Sequence, residues 1–67
     1  MALRNLGDML RRLREGKQMT QVQLAKKAKV TRSYLAKMET GDKRNPSIAI
    51  LQRLAKALNV PVSDLLE

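Results

Sequence analysis

The sequence predicts an all-α domain of five short helical elements, and three observations predict it. Apolar residues recur three and four apart along almost the whole chain and rarely alternate, which is the spacing of amphipathic helices rather than of strands. Capping residues stand ahead of the apolar runs at Thr20, Thr31 and Ser47, and helix-stopping residues follow at Gly16, Gly41 and Asn59. Strand formers are scarce: there is one tyrosine, and neither phenylalanine nor tryptophan occurs.

The first element carries Leu3, Leu6, Leu10 and Leu13 on one face, with Arg4, Arg11 and Arg12 turned away, and Gly16 ends it. Thr20 opens the second with TQVQ, a capping box closed by Gln23, and Leu24, Ala25 and Ala28 form its inner side. Thr31 caps the third, whose inward residues are Leu35 and Met38 and whose end is marked by Gly41. The loop DKRNP follows. Ser47 caps the fourth, with Ile48, Leu51, Leu54, Ala55 and Leu58 inside and Asn59 as a left-handed stop. Pro61 begins a short fifth turn through Leu65 and Leu66.

Composition narrows the functional classes. A chain of 67 residues is read as one domain over 1–67, able to bury only about 60% of the surface its unfolded form exposes. It has no cysteine, so no disulfide or thiolate metal site holds it together, and a reducing compartment fits. It has no histidine and only six acidic residues, so the usual metal, general-base and nucleophile sets are missing. The expectation is therefore a non-enzyme with no metal, no cofactor and no small-molecule substrate. No apolar run is long enough to span a bilayer, and the N-terminus lacks the apolar core of a signal peptide, so the expected location is the cytoplasm or the nucleoid. The formal charge of +8, from 14 basic and 6 acidic residues, favours a polyanionic partner, either nucleic acid or an anionic membrane surface.

AKVTRSYLAKMETG, Ala28 to Gly41, supplies the next step. One helix stops and another starts within a three-to-four-residue turn, too short for the two to lie antiparallel, so they cross steeply as a helix-turn-helix does. On the corner alone, a plain bundle with a short link fits as well. The outer face of the third helix favours the first reading. Opposite Leu35 and Met38 lie Arg32, Ser33, Ala36, Lys37 and Thr40, with Tyr34 on a flank and no acidic group among them. Arg32 and Lys37 are donors suited to guanine O6 and N7, Ser33 is an adaptable hydrogen-bonding group, and Ala36 is small enough to let the helix approach base edges. Eight Lys or Arg and two acidic residues fall between Lys17 and Arg44, which concentrates the charge around this unit.

From Leu6 to Leu66 the chain resembles the Cro/C1-type repressor helix-turn-helix family, also called the xenobiotic-response-element family. The resemblance rests on Leu13 and Arg14, the TQ of Thr20 and Gln21, the LA of Leu24 and Ala25, Met38, Glu39 and Gly41, Pro46, and LAKALNV ending at Val60. It implies a compact lambda-repressor-like DNA-binding domain with helices 2 and 3 as the helix-turn-helix, in a sequence-specific regulator, commonly a dimer on a palindromic operator. The family's base-reading positions match Arg32, Ser33 and Lys37. Its phosphate-binding glutamine matches Gln21, beside Thr20, and its second backbone clamp matches Lys43, Arg44 and Asn45. Its counterparts of Arg14 and Glu39 pair with each other and tie the recognition helix to the first helix. At the corner the family usually has a left-handed glycine where this chain has Lys29, a departure costing roughly 1 kcal/mol.

Rival classes lack support in the residues. A single-strand or RNA binder needs a stacking platform, which one tyrosine does not make. A membrane-surface helix would spend leucines that the core requires. A protein-interaction module on this fold, without direct DNA binding, would favour an acidic or apolar third helix, whereas this one carries Arg32 and Lys37. The expected partners are thus double-stranded DNA and a second copy of the chain, and repression by covering a promoter is the expected output. For the second copy, Leu65 and Leu66 stand about 100° apart on a helical turn, so one is left outside a small core. Val62, Leu65 and Leu66, flanked by Ile50 and Ala57, form the expected dimer interface.

Overall fold

Each α-helix for which both ends are described begins where a hydroxyl meets a free amide. Thr20 Oγ1 accepts from Gln23 N–H at 3.1 Å while Gln23 Oε1 accepts from Thr20 N–H at 2.8 Å, closing the capping box. Thr31 and Ser47 cap in the simpler way, accepting from Tyr34 N–H and Ile50 N–H. The structure, a computed structural model, describes residues 6–42 and 46–66. Its elements are α1 (Leu6–Gly16), α2 (Gln21–Ala28), α3 (Arg32–Thr40), α4 (Ile48–Leu58) and a 3-10 turn (Val62–Leu65), with no strand among the described residues. The fifth expected helix is that single tight turn.

All four helices end by one device. A left-handed residue donates its N–H to the carbonyl three residues back, and the next residue donates to the carbonyl five back. Gln18 and Met19 do this for α1, Lys29 and Val30 for α2, Gly41 and Asp42 for α3, and Asn59 and Val60 for α4. Met19, Val30 and Val60 then pack on the core, so three of the four stops are held by an apolar contact. α1 ends at Gly16 as expected, but its left-handed residue lies two positions further on, at Gln18 with φ 58°. Beyond Gly16 the chain turns at Gln18 so that Met19 reaches the core and its amide finds the Arg14 carbonyl at 3.0 Å.

α1 lies against α3 and the final turn, α4 against α2 and the same turn, and α2 meets α3 at the corner. Leu6, Leu10, Leu24, Leu35, Met38, Leu51, Leu54, Leu58 and Leu65 are fully buried where these elements meet, with Ala25, Ala28, Ala55 and Ala57 as spacers. Leu3 and Arg4 lie outside the described residues. Ile48, expected inside, is 63% exposed. It occupies the first turn of α4, and burial along that helix starts only with Ile50 and Leu51.

Helix α1 approaches α3 at Gly7. A Cβ there would stand 2.5 Å from the Met38 carbonyl oxygen and 2.7 Å from that of Glu39, and backbone cannot yield as a side-chain end can. Glycine thus sets the spacing between the two helices. Gly7→Ala is expected to lower stability by about 1 to 3 kcal/mol in urea unfolding. Gly16→Ala, where an added Cβ meets nothing within 4 Å, should be neutral or stabilising by up to about 1 kcal/mol. A Gly7→Ala protein as stable as the parent would refute the close approach.

Candidate nucleic-acid interface

The interface is organised around a carboxylate that faces away from it. Glu39 lies in the last turn of α3 with its side chain only 3% exposed. Both of its oxygens are occupied. Oε2 accepts from Arg14 Nε at 2.7 Å, and Oε1 accepts from Arg14 Nη2 at 3.1 Å and from Gln21 Nε2 at 3.0 Å. Arg14 is 11% exposed at its side chain and spends Nη1 on the Met19 carbonyl at 2.7 Å. The bidentate pair is the strong geometry for guanidinium and carboxylate. Its hydrogen bond to Glu39 raises the Arg14 pKa above its already high ordinary value, against the opposing effect of burial. One buried cluster therefore fastens the end of α1, the start of α2 and the end of α3.

Turning Glu39 inward leaves the outer face of α3 without an acid. Arg32, Ser33, Lys37 and Thr40 are exposed along it, Ala36 is half-exposed between them, and Leu35 and Met38 are buried behind. Thr40 Oγ1 donates to the Lys37 carbonyl, so that hydroxyl stays on the helix end. Tyr34 is half-buried and packs on the core. At the head of α3 the corner is three residues, Lys29 to Thr31, as a steep crossing requires.

Lys29 adopts the left-handed conformation, at φ 61° and ψ 41°, where glycine would be unstrained. Arg53 from α4 braces that corner. Its Nε donates to the Ala28 carbonyl at 3.0 Å and its Nη2 to the Lys29 carbonyl at 2.9 Å, putting a cation on the negative end of α2.

The model for the helix-turn-helix family matches residues 10–65, most of the chain. The chain belongs to the Cro/C1-type helix-turn-helix family. It is 45% identical over 58 residues to an immunity repressor protein of Bacillus phage phi105, covering 87% of this chain and 40% of that one. It is 36% identical over 62 residues to the HTH-type transcriptional regulator SinR of Bacillus subtilis, covering 92% and 56%. The chain thus spans about half the length of the curated relatives it matches. Among solved structures, SinR in complex with DNA superposes with a TM-score of 0.89 at 35% identity, covering 92% of this chain and 98% of that one. These relatives are transcription regulators rather than enzymes. Among the described residues no group of three acidic side chains could hold a metal ion, and no helix is long and apolar enough to cross a membrane.

Within this family member the other candidate residues are distributed unevenly. Thr20 is exposed at the head of α2, its oxygen engaged in the capping box. Gln21, expected on a phosphate, gives one of its amide hydrogens to Glu39, which leaves the second for an outside acceptor. Lys43, Arg44 and Asn45 lie outside the described residues. The expected interface on Val62, Leu65 and Leu66 needs a correction. Leu65 is 1% exposed and belongs to the core, because the tight turn aims it between α1 and α4, so it presents nothing to a partner. Leu66 is the leftover leucine, 45% exposed. Val62 and Ile50 are half-buried against the core, and Ala57 is buried.

Sequence reasoning did not find Arg53 or Gly7. Nothing local marks Arg53, whose partners are 25 and 24 residues away. Gly7 did leave a signal, since an isolated glycine within a helical pattern commonly answers to packing.

The Arg14 and Glu39 cluster yields a direct test by double-mutant cycle. Glu39→Gln leaves the nearly buried Arg14 cation with only the exposed Glu15 carboxylate, at 3.8 Å, as a charge partner and should cost about 3 kcal/mol or more. Replacing both, as Arg14→Met with Glu39→Leu, should recover most of that loss. Additive losses in urea unfolding would show that the two side chains do not act as a pair.

Proposed function

We propose that this chain is a sequence-specific double-stranded DNA-binding regulator that inserts α3 in the major groove of a palindromic operator as a homodimer. It represses by covering a promoter, in the cytoplasm on nucleoid DNA. The observation that carries this reading is the outer face of α3, where Arg32, Ser33 and Lys37 stand exposed and the helix's own carboxylate is buried behind them. Family membership and the likeness to SinR in complex with DNA support it.

In this reading Arg32 and Lys37 donate to guanine O6 and N7, and Ser33 adapts to its base. Thr20, Gln21, Lys43, Arg44 and Asn45 hold the flanking phosphates, fixing register without carrying sequence information. The head of α2 suits its share of this task, since its first amides point outward and the helix dipole favours an anion. Two copies pair through Leu66 with Val62 at its edge, setting two α3 helices about 34 to 36 Å apart, one turn of DNA. One domain reads few base pairs, so pairing supplies the length of the site.

Selection of duplexes from a random pool gives the operator, against which variants are compared. Arg32→Ala should weaken the selected site by about 1 to 3 kcal/mol and leave random duplex nearly unchanged. Arg44→Ala should weaken both alike and reduce the salt slope by roughly one unit. Sedimentation at saturation should find two chains per duplex, and Leu66→Asp should reduce that to one. Equal losses for Arg32→Ala on both duplexes would refute base readout, and one chain per duplex in the parent protein would refute the dimer.

A further inference from the structure

Between the C-terminal end of α2 and the middle of α4 lies a concavity of about 390 Å³, lined by Lys27, Ala28, Lys29, Arg53, Lys56 and Ala57. Its floor consists of two buried alanines, 1% and 6% exposed, whose small side chains leave room above them. Its rim is four exposed cations. Among the described residues none of the four meets a carboxylate, since the ion pairs join Arg11 to Asp8 and Arg14 to Glu15 and Glu39. The two hydrogen bonds of Arg53 go to the Ala28 and Lys29 carbonyls, which hold its guanidinium at the mouth with no carboxylate beside it. Neither Arg32 nor Lys37 lines the hollow.

We propose that this concavity docks an acidic, leucine-bearing segment of a partner protein. An apolar side chain seats on Ala28 and Ala57, and flanking carboxylates reach Lys27, Lys29, Arg53 and Lys56. Charge complementarity selects the sign of the partner, and the floor selects its class. A small inorganic anion would use the rim and leave the apolar floor wet. A duplex backbone presents a ridge of phosphates with no apolar prong to fill the hollow. A second copy of this chain carries a net charge of +8, which opposes its approach to a rim of four cations. The volume lies in the range of sites that enclose a ligand group, large enough for a leucine side chain with room for its neighbours' stems. Such a contact would join the regulator to a second protein through a face that α3 does not use.

Nitrogen-15 NMR titration tests this with three probes: the end-blocked peptide ELLEEL, its uncharged counterpart QLLQQL, and the selected duplex. The acidic peptide should move the amide signals of Ala28 and Ala57 in a saturable way, and the uncharged peptide should bind about tenfold or more weaker. The double variant Lys27→Gln with Lys56→Gln, both at exposed positions, should lose ELLEEL binding by about tenfold or more, with a smaller loss of duplex affinity. Equal binding of the two peptides, or no saturable shift with ELLEEL, would overturn the proposal. So would a loss of duplex affinity as large as that of the peptide, which would assign these cations to the DNA backbone.

Discussion

The Glu39 carboxylate is the constraint on which the rest of this structure depends. A carboxylate taken out of water is costly unless paired and hydrogen-bonded, and here Arg14 and Gln21 fill its acceptor sites from two other helices. An apolar pair of equal volume could hold α1 on α3 at least as firmly. It would not orient Gln21 at the head of α2. The ion pair therefore fixes geometry, linking three helices through one point, and it removes the only acid of α3 from the face that carries Arg32 and Lys37. Gly7 completes the arrangement by letting the α1 backbone come within contact of the Met38 and Glu39 carbonyls.

Around that point the domain is stabilised by local devices suited to its size. Three side-chain caps and four left-handed stops satisfy helix ends that a small core could not cover. Gln18 and Lys29 are the strained members of the set, and at the corner between α2 and α3 a lysine stands where glycine would be easier. Arg53 meets the two carbonyls exposed there, so a long-range contact offsets a local cost. The same arginine shapes the hollow beside the corner. Fold support and a basic concavity thus share one side chain.

The elements and most of the core were legible because both are written in local spacing. Helical periodicity, TQVQ and the hydroxyl caps depend on residues three or four apart, and the stops at Gly41 and Asn59 are residue types that accept positive φ. What was illegible depends on distance or on the edge of the core. The left-handed residue that closes the turn after α1 is Gln18 rather than Gly16, and it brings Met19 onto the core. Ile48 keeps helical register with Leu51 yet is 63% exposed in the first turn of α4. The choice between Leu65 and Leu66 required the pitch of the final turn, and that turn is 3-10. For the site, the exposed row on α3 follows from periodicity alone, while the engagement of Gln21 by Glu39 and of the corner by Arg53 arises only when helices meet.

In the proposed complex the Arg14 and Glu39 cluster holds α3 so that its acid-free face enters a major groove. Methylation interference on the selected duplex tests it most directly, because dimethyl sulfate modifies guanine N7 in the major groove and adenine N3 in the minor groove of the same molecule. Interference at guanine N7 in two clusters about one helical turn apart, with none at adenine N3 between them, is the predicted result. Interference confined to adenine N3, or binding indifferent to methylation of either groove, would contradict it.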